Sequence, residues 1–96
     1  MEALALLNWC VYIVRCEDGT LYTGATNNLE KRIATHNKGK GAKYTRSRLP
    51  VCLVASKGGM TKSEAMKLEY KVKQQPKNEK ISYILCYDLI IGSSRL

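Results

Sequence analysis

The carboxylates of this chain are few enough to be sorted by the role that each could play. If the partner is a phosphodiester, a hydrolytic site needs a metal ion or a cationic clamp, a base for water and a group that stabilises the leaving oxygen. Of the eight Asp and Glu residues, most fall in a turn, a helix first turn, a capping box or a terminal segment. Glu69 alone lies mid-helix, beside an apolar stripe, so elimination selects it as the candidate metal ligand. Its ordinary alternative is a surface ion pair with Lys73, one helical turn later.

Two tyrosines occupy adjacent short strands. Residues 10–14 and 21–23 are rich in apolar and β-branched side chains and contain Tyr12 and Tyr22. Between them, Glu17-Asp18-Gly19 supplies a turn in which glycine can take a positive φ. The tyrosines are either packed strand residues or two hydroxyls directed at one point.

The length of the turn decides between these alternatives. A two-residue loop would place Tyr12 and Tyr22 on opposite faces of the sheet. A three-residue loop pairs Cys16 with Thr20, sets Val14 opposite Tyr22 and puts both tyrosines on one face. We expect the three-residue loop.

The next predicted helix carries two further polar candidates. It covers residues 29–38, begins after the N-cap candidates of residues 26–28 and ends at Gly39. Arg32 and His36 lie one turn apart at the margin of its apolar stripe. The ordinary alternatives are an exposed arginine whose stem covers the core, and a polar histidine at the helix edge.

Positive charge is concentrated in one part of the chain. The formal net charge is +8, which favours a polyanionic partner because neutralised phosphates release counterions. Residues 31–48 contain no Asp or Glu, and this clustering favours nucleic acid over a merely solvated basic surface. The basic residues are Lys31, Arg32, Lys38, Lys40, Lys43, Arg46 and Arg48.

The rest of the chain predicts one small α/β domain. We expect a loop over residues 39–50 and then a central third strand over 51–55, ended by Lys57-Gly58-Gly59. A second helix should run from the capping box at Thr61 to about residue 75. A last helix should cover residues 79–85, with Asn78 as its cap. The second helix should bury Ala65, Leu68 and Val72. Residues 1–8 form a leader, 9–86 the domain and 87–96 a tail.

Composition excludes several classes of protein. Ninety-six residues allow one core, and the longest apolar run is too short to cross a bilayer. No convincing secretion signal is present, so we expect a cytoplasmic protein. Three of the four cysteines lie in apolar runs, where cysteine is usually a small buried hydrophobe, and no spacing is typical of a zinc site or a disulfide framework.

The joint order of these residues resembles the GIY-YIG nuclease superfamily. Val11-Tyr12-Ile13 stands at its first motif and Tyr22-Thr23-Gly24 at its second, with Arg32 on the following helix and Glu69 on a later one. The first motif departs from Gly-Ile-Tyr and the second has Thr23 for isoleucine, but both tyrosines and Gly24 are kept. Residues 29–46 and 68–73 look like the small stand-alone bacterial branch.

The resemblance implies a fold and a reaction. The fold is α/β (α+β), a three-stranded antiparallel sheet flanked by helices. The reaction is metal-dependent endonuclease cleavage, with DNA the expected substrate and repair or recombination the expected setting. Glu69 would hold one Mg²⁺ or Mn²⁺, Arg32 would contact the scissile phosphate, Tyr12 or Tyr22 would deprotonate or orient water, and His36 would assist.

The resemblance also implies a nucleic-acid grip and leaves one alternative open. Residues 38–48 would hold the phosphate backbone, and Tyr44 could stack on a base. The alternative is a binding module with the same fold that cuts poorly or not at all. Targeting would need a protein partner, and the chain would be a monomer or weak dimer. The grip comprises Lys38, Lys40, Lys43, Tyr44, Thr45, Arg46 and Arg48.

Overall fold

The computed structural model describes residues 7–87 and contains three strands and four helices in this range. The strands form one antiparallel sheet in the order β2-β1-β3. The predicted α+β fold, a three-stranded antiparallel sheet flanked by helices, is therefore confirmed. The elements are β1 (Trp9–Arg15), β2 (Leu21–Thr26), α1 (Leu29–Asn37), α2 (Lys43–Arg46), β3 (Cys52–Met60), α3 (Lys62–Lys73) and α4 (Lys77–Leu85).

The central strand is β1, and both of its faces are covered. Val11, Tyr12, Ile13 and Val14 are all at most 1% exposed. This burial explains the unbroken apolar run in the sequence, since a strand covered on one face would alternate. The prediction that the third strand is central was wrong. β3 lies at the sheet edge, where Leu53 remains 44% exposed.

The strand β3 also runs further than predicted, through Lys57-Gly58-Gly59 to Met60. Trp9 pairs with Met60 and Val11 with Lys57, so the ladder carries an extra residue on β3 at this point. Gly59 has a φ of 74°, which suits a β-bulge with a left-handed glycine. The glycine pair therefore bends the edge strand instead of ending it.

The hairpin between β1 and β2 has the predicted three-residue loop. The backbone N–H of Cys16 donates to the Thr20 carbonyl at 2.8 Å, and Gly19 has a φ of 84°. Asp18 Oδ1 accepts from the Thr20 backbone N–H at 3.1 Å and from its hydroxyl at 2.6 Å. Val14 lies opposite Tyr22, so the predicted register is confirmed.

Two hydrophobic clusters hold helices against the two faces of the sheet. One joins β1 and β3 to α3 and α4, and it includes the predicted stripe of Ala65, Leu68 and Val72, all 0% exposed. The other joins Tyr12, Val14, Cys16 and Val51 to α1 and the loop before β3, with Tyr22, Leu29, Ile33 and Leu49 packed around it. The tyrosines belong to this second face.

The helix caps agree with the sequence in two cases and differ in one. Asn28 Oδ1 accepts from the Lys31 backbone N–H at 3.1 Å, and Thr61 and Glu64 form the predicted capping box. The last helix begins at Lys77, with Pro76 as its N-cap, instead of after Asn78. Pro76 has an extended ψ of 152° and its carbonyl accepts from the Glu79 backbone N–H at 2.9 Å, so the first turn begins directly after it, at Lys77.

Two further expectations were wrong. The segment predicted as a loop contains α2, a single turn too short to show a helical period. Cys52 and Cys86 are exposed, Cys10 is half-buried and only Cys16 is buried, because β3 is an edge strand and Cys86 follows the end of α4. All four cysteines are free thiols.

No helix between residues 7 and 87 is long and apolar enough to span a membrane. The predicted leader and tail lie largely outside the described residues, so the division into 1–8, 9–86 and 87–96 stays a prediction.

Replacement of Gly19 by alanine should destabilise the hairpin. An alanine at a φ of 84° costs about 1 kcal/mol, because its Cβ crowds the following carbonyl. Gly58→Ala is the matched control, since the nearest atom to its new Cβ is Cys10 Cβ at 3.7 Å and its φ is not positive. Urea unfolding monitored by circular dichroism should show a lower midpoint for Gly19→Ala only. An equal loss in both variants would contradict the left-handed turn.

Candidate active site

The hydroxyl of Tyr12 lies at the centre of a buried hydrogen-bond chain. It is 2.8 Å from His36 Nε2, and Arg32 Nε donates to it at 3.4 Å. Tyr12 is 1% exposed and His36 is 0% exposed. The placement of His36 as an edge residue of the helix was therefore wrong. A histidine tolerates full burial when both ring nitrogens have partners.

The second ring nitrogen of His36 also has a partner. His36 Nδ1 lies 2.9 Å from Thr45 Oγ1, and the Thr45 hydroxyl donates to the Ala42 carbonyl at 2.9 Å. Thr45 is 0% exposed. Its predicted direct contact with nucleic acid is therefore wrong, since a side chain turned inward to His36 presents no surface to a partner. The side chain is unavailable because α2 directs Thr45 toward His36 and away from solvent.

Two glycines make room for these rings. Gly24 lies opposite Tyr12 in the β-ladder, and a Cβ on it would lie 2.5 Å from the Tyr12 hydroxyl oxygen. A Cβ on Gly41 would overlap the His36 ring, whose Cγ would be 2.8 Å away. Neither position can carry a side chain while the rings keep their places.

Burial determines the protonation states of the groups in this hydrogen-bond chain. It raises the pKa of Tyr12, and the hydrogen bond from Arg32 partly opposes that rise. Burial and the nearby Arg32 charge lower the pKa of His36. The hydrogen bond to Tyr12 raises the pKa of Arg32. At neutral pH the three hydrogen-bonded groups are therefore a neutral phenol, a neutral imidazole and a guanidinium cation.

Tyr22 completes an aromatic cluster on the same face. Its ring centroid lies 6.4 Å from that of Tyr12, 5.4 Å from that of His36 and 6.1 Å from that of Tyr44, on which it stacks. The prediction that Tyr12 and Tyr22 share a face is confirmed. Tyr22 is half-buried, so it is nearer to solvent than Tyr12.

Glu69 reaches this cluster from α3. Its carboxylate accepts from Lys73 Nζ at 2.8 Å with a side chain that is 19% exposed, so the ordinary ion pair is present. Lys73 Nζ lies 6.0 Å from the Tyr22 ring centroid, and the charge of Glu69 contributes to the raised pKa of Tyr12. Tyr12, Tyr22, Arg32, His36 and Glu69 thus come together around one place.

The residues present fit a weakly held divalent ion. Between residues 7 and 87 no group of three or more His, Cys, Asp and Glu side chains converges on one point. Mg²⁺, however, keeps several of its waters and is commonly held by one or two carboxylates together with substrate phosphates. The ammonium group beside Glu69 shows that this carboxylate already accommodates a cation.

Two arginines of the basic segment form hydrogen bonds within the fold, and several of its side chains are exposed to solvent. Arg48 donates to Asp18 at 3.0 Å and to the Tyr44 carbonyl at 2.7 Å, and its guanidinium lies 4.0 Å from the Tyr44 ring centroid. Arg46 Nε donates to the Gly41 carbonyl at 3.3 Å. These arginines therefore brace the segment. Lys38, Lys40, Lys43 and Arg46 are exposed, and Tyr44 is 40% exposed.

Sequence reasoning missed three residues that position the site. Thr45 and Gly41 hold the His36 ring, and Asn37 donates to the Val51 carbonyl at 3.2 Å and accepts from its N–H at 2.8 Å. Asn37 thereby ties the end of α1 to the start of β3. Of the three, only Thr45 was singled out by the sequence, and it was predicted to contact nucleic acid instead of His36.

Comparison with known families defines the class of this fold and site. A family model described as the GIY-YIG catalytic domain matches residues 8–82, so the chain belongs to the GIY-YIG family. That family connects the chain with nuclease chemistry and nucleic-acid binding, and its nucleases generally use a divalent metal ion.

Within the family, the chain is similar to small bacterial proteins named UPF0213. One from Staphylococcus haemolyticus is 55% identical over 74 residues, which cover 77% of this chain and 90% of the relative. One from Streptococcus agalactiae is 51% identical over 74 residues, which cover 77% and 84%. The chain therefore falls in this small bacterial branch.

Two solution NMR structures resemble the chain. Protein EF2693 of E. faecalis is 36% identical, covers 83% of this chain and 85% of its own, and superposes with a TM-score of 0.56. The UPF0213 protein BH0048 of Bacillus halodurans is 49% identical over 75% and 77% of the two chains, with a TM-score of 0.47.

The pKa of His36 gives a test that needs no substrate. His36 is the only histidine in the chain, so its ring C–H signals can be followed by NMR without ambiguity. Because burial lowers its pKa from the ordinary 6.5, its midpoint should lie below that value in the folded protein and return to about 6.5 in urea.

The stability of the folded protein should decrease at acidic pH, because the pKa of His36 is lowered by folding. A lowered folded pKa means that the unfolded chain binds the proton first, so stability is complete above pH 6.5 and falls as the pH drops through the folded pKa. His36→Gln should lose this component. A folded midpoint at or above the ordinary value would contradict the buried neutral imidazole.

Proposed function

We propose that this chain is a metal-dependent endonuclease that hydrolyses phosphodiester bonds of DNA. The observation that carries the proposal is the buried contact of 2.8 Å between the Tyr12 hydroxyl and His36 Nε2, with Arg32 donating to the same oxygen. A phenol hydrogen-bonded to an imidazole can pass on its proton, and the cation stabilises the tyrosinate that remains.

Tyr12 is the proposed base for the attacking water. Its O–H bond breaks as a bond from hydrogen to His36 Nε2 forms, and the tyrosinate then accepts a proton from water. The raised pKa of Tyr12 and the lowered pKa of His36 both oppose the first transfer in the resting state. The reaction therefore needs the substrate to change the balance of charge around the pair.

Arg32 is the group through which substrate changes that balance. Its Nε donates to Tyr12 at 3.4 Å, which leaves the other N–H groups of the guanidinium to bind a phosphate. A bound phosphate balances the positive charge that disfavours protonation of His36, while the bond from Nε still stabilises the tyrosinate. Tyr22, which is half-exposed beside them, orients the water.

Glu69 is the proposed metal ligand. The ion, Mg²⁺ or Mn²⁺, supplies Lewis-acid stabilisation of the phosphate charge when bound. To bind it, Glu69 exchanges the ammonium of Lys73, with which it forms an ion pair of 2.8 Å. That pair is partly exposed, and exposed pairs of this kind are weak enough to be displaced.

The same ion pair supports a second candidate function. If Lys73 stays on Glu69, the chain lacks a metal ligand and acts as a nucleic-acid-binding module with this fold. The outward Lys38, Lys40 and Lys43 serve either function. Cytoplasmic location, a role in repair or recombination, a protein partner for targeting and a monomeric or weakly dimeric state remain predictions that accompany the proposal.

Removal of the Glu69 carboxylate charge should abolish cleavage. Supercoiled plasmid incubated with the purified protein and Mg²⁺ or Mn²⁺ should be nicked, and Glu69→Gln should reduce the nicking rate by about 10²-fold or more, because the metal loses its protein ligand. Glu79→Gln, in the exposed first turn of α4, is the matched control and should keep full activity.

The outcomes separate the two functions. An unchanged nicking rate in Glu69→Gln would contradict the assignment of Glu69 as the metal ligand. DNA binding without nicking by the unaltered protein, across metals and across branched, single-stranded and RNA substrates, would favour the binding module.

Binding should depend on the three outward lysines. Each lysine that contacts a phosphate contributes about 0.9 to the slope of log K against log salt concentration. Replacing Lys38, Lys40 and Lys43 with alanine should flatten this slope and weaken binding at low salt, as measured by fluorescence anisotropy. A triple alanine variant at Lys67, Lys71 and Lys77, which are also exposed, should bind with a nearly unchanged slope. Equal effects of the two triples would mean diffuse attraction instead of a defined grip.

A further inference from the structure

The Thr45 hydroxyl has a fixed direction, and this fixes the proton on His36. Thr45 Oγ1 carries one hydrogen, and the Ala42 carbonyl, 2.9 Å away, can only accept it. The hydroxyl therefore faces His36 Nδ1, also 2.9 Å away, with a lone pair. A lone pair at that distance requires a hydrogen on Nδ1.

The rest of the chain of hydrogen bonds follows from this direction. A neutral imidazole has one N–H, so a hydrogen on Nδ1 leaves a lone pair on Nε2. The Tyr12 hydroxyl then donates to Nε2 over 2.8 Å, and its own lone pairs accept from Arg32 Nε. Every donor in this series of hydrogen bonds thus faces an acceptor. In the opposite tautomer, a lone pair on His36 Nδ1 would face a lone pair on Thr45 Oγ1.

We infer that Thr45 is a positioning residue that holds His36 in the tautomer able to receive the proton of Tyr12. The inference rests on the proposed function, in which His36 Nε2 takes that proton. When the Nε2–H bond forms, His36 becomes an imidazolium that still donates from Nδ1 to Thr45. The same hydroxyl thus sets the resting tautomer and stabilises the charged product of the transfer.

The backbone before Thr45 supports this role. Gly41 and Ala42 belong to the same short segment, and a Cβ on Gly41 would overlap the His36 ring. Gly41 therefore lets the segment approach the imidazole, Ala42 orients the hydroxyl, and Thr45 contacts the ring. Thr45 is 0% exposed and contacts His36, so it acts through the imidazole, which separates it from the catalytic residues.

Nitrogen-15 NMR of the full chain tests the inference without any substrate. In the unaltered protein, the only histidine should show a protonated Nδ1 and an unprotonated Nε2. Thr45→Val removes the acceptor, so the spectrum should shift toward the Nε2–H tautomer, and nicking should fall by about 10²-fold with DNA binding retained. Thr45→Ser keeps the hydroxyl and should restore both the spectrum and the nicking.

Thr35→Val is the matched control. The Thr35 hydroxyl donates to the Lys31 carbonyl at 2.8 Å on the helix that carries His36, so the variant loses a similar bond away from the imidazole. This variant should change neither the tautomer of His36 nor the rate of nicking. If Thr45→Val fails to fold, as its amide spectrum will show, Thr45→Ala takes its place.

An Nε2–H tautomer in the unaltered protein, or an unchanged tautomer in the Thr45 variant, would overturn the inference. If the expected tautomers are found and no preparation cuts nucleic acid, the positioning of His36 stands and the proposed nuclease function fails.

Discussion

The hydrogen bond between the Tyr12 hydroxyl and His36 Nε2 is the interaction on which the arrangement of this site depends. It joins the central strand of the sheet to the end of α1, and neither partner can move away to solvent, since they are 1% and 0% exposed. β1 is covered on both faces, and Gly24 and Gly41 leave just enough room for the two rings. Packing therefore fixes the distance between the phenol and the imidazole, and the other groups act on a pair already in place.

The electrostatics of this pair favour a resting state that does not react. Burial holds the proton on Tyr12 and keeps it off His36, and the guanidinium of Arg32 lies over the phenol oxygen. In a buried site such charges interact more strongly than in water, so a phosphate that attracts Arg32 has a large local effect. In the proposed reaction, proton transfer therefore depends on an anion that binds Arg32, and metal binding depends on displacement of Lys73 from the partly exposed Glu69.

The sequence predicted the features that depend on neighbouring residues. The three-residue turn at Gly19, the capping box at Thr61 and the shared face of Tyr12 and Tyr22 all follow from local turn chemistry and strand periodicity. The joint order of the two tyrosine motifs, Arg32, His36, the basic segment and Glu69 indicated the family.

The features that depend on contacts across the fold could not be predicted in this way. The burial of His36 results from its contacts with Tyr12 and Thr45, and α2 has only four residues, too few to show a period. The edge position of β3 and the bulge at Gly59 depend on which strands pair, which apolar content alone does not determine. Thr45 lies among basic residues, and the family resemblance led to its prediction as a nucleic-acid contact.

The short helix α2 has a consequence for how the specificity of such a protein could change. Lys43 and Tyr44 point outward, and the next residue along the chain, Thr45, points inward to the imidazole. Under the proposed function, substrate contact and the positioning of His36 therefore depend on one turn of backbone. Substitution of an exposed side chain such as that of Lys43 leaves the backbone of this turn in place, but an insertion or deletion that alters its backbone would also displace the inner hydroxyl. Under the proposed function, substrate contacts in this turn can therefore change by substitution but not by a change of loop length.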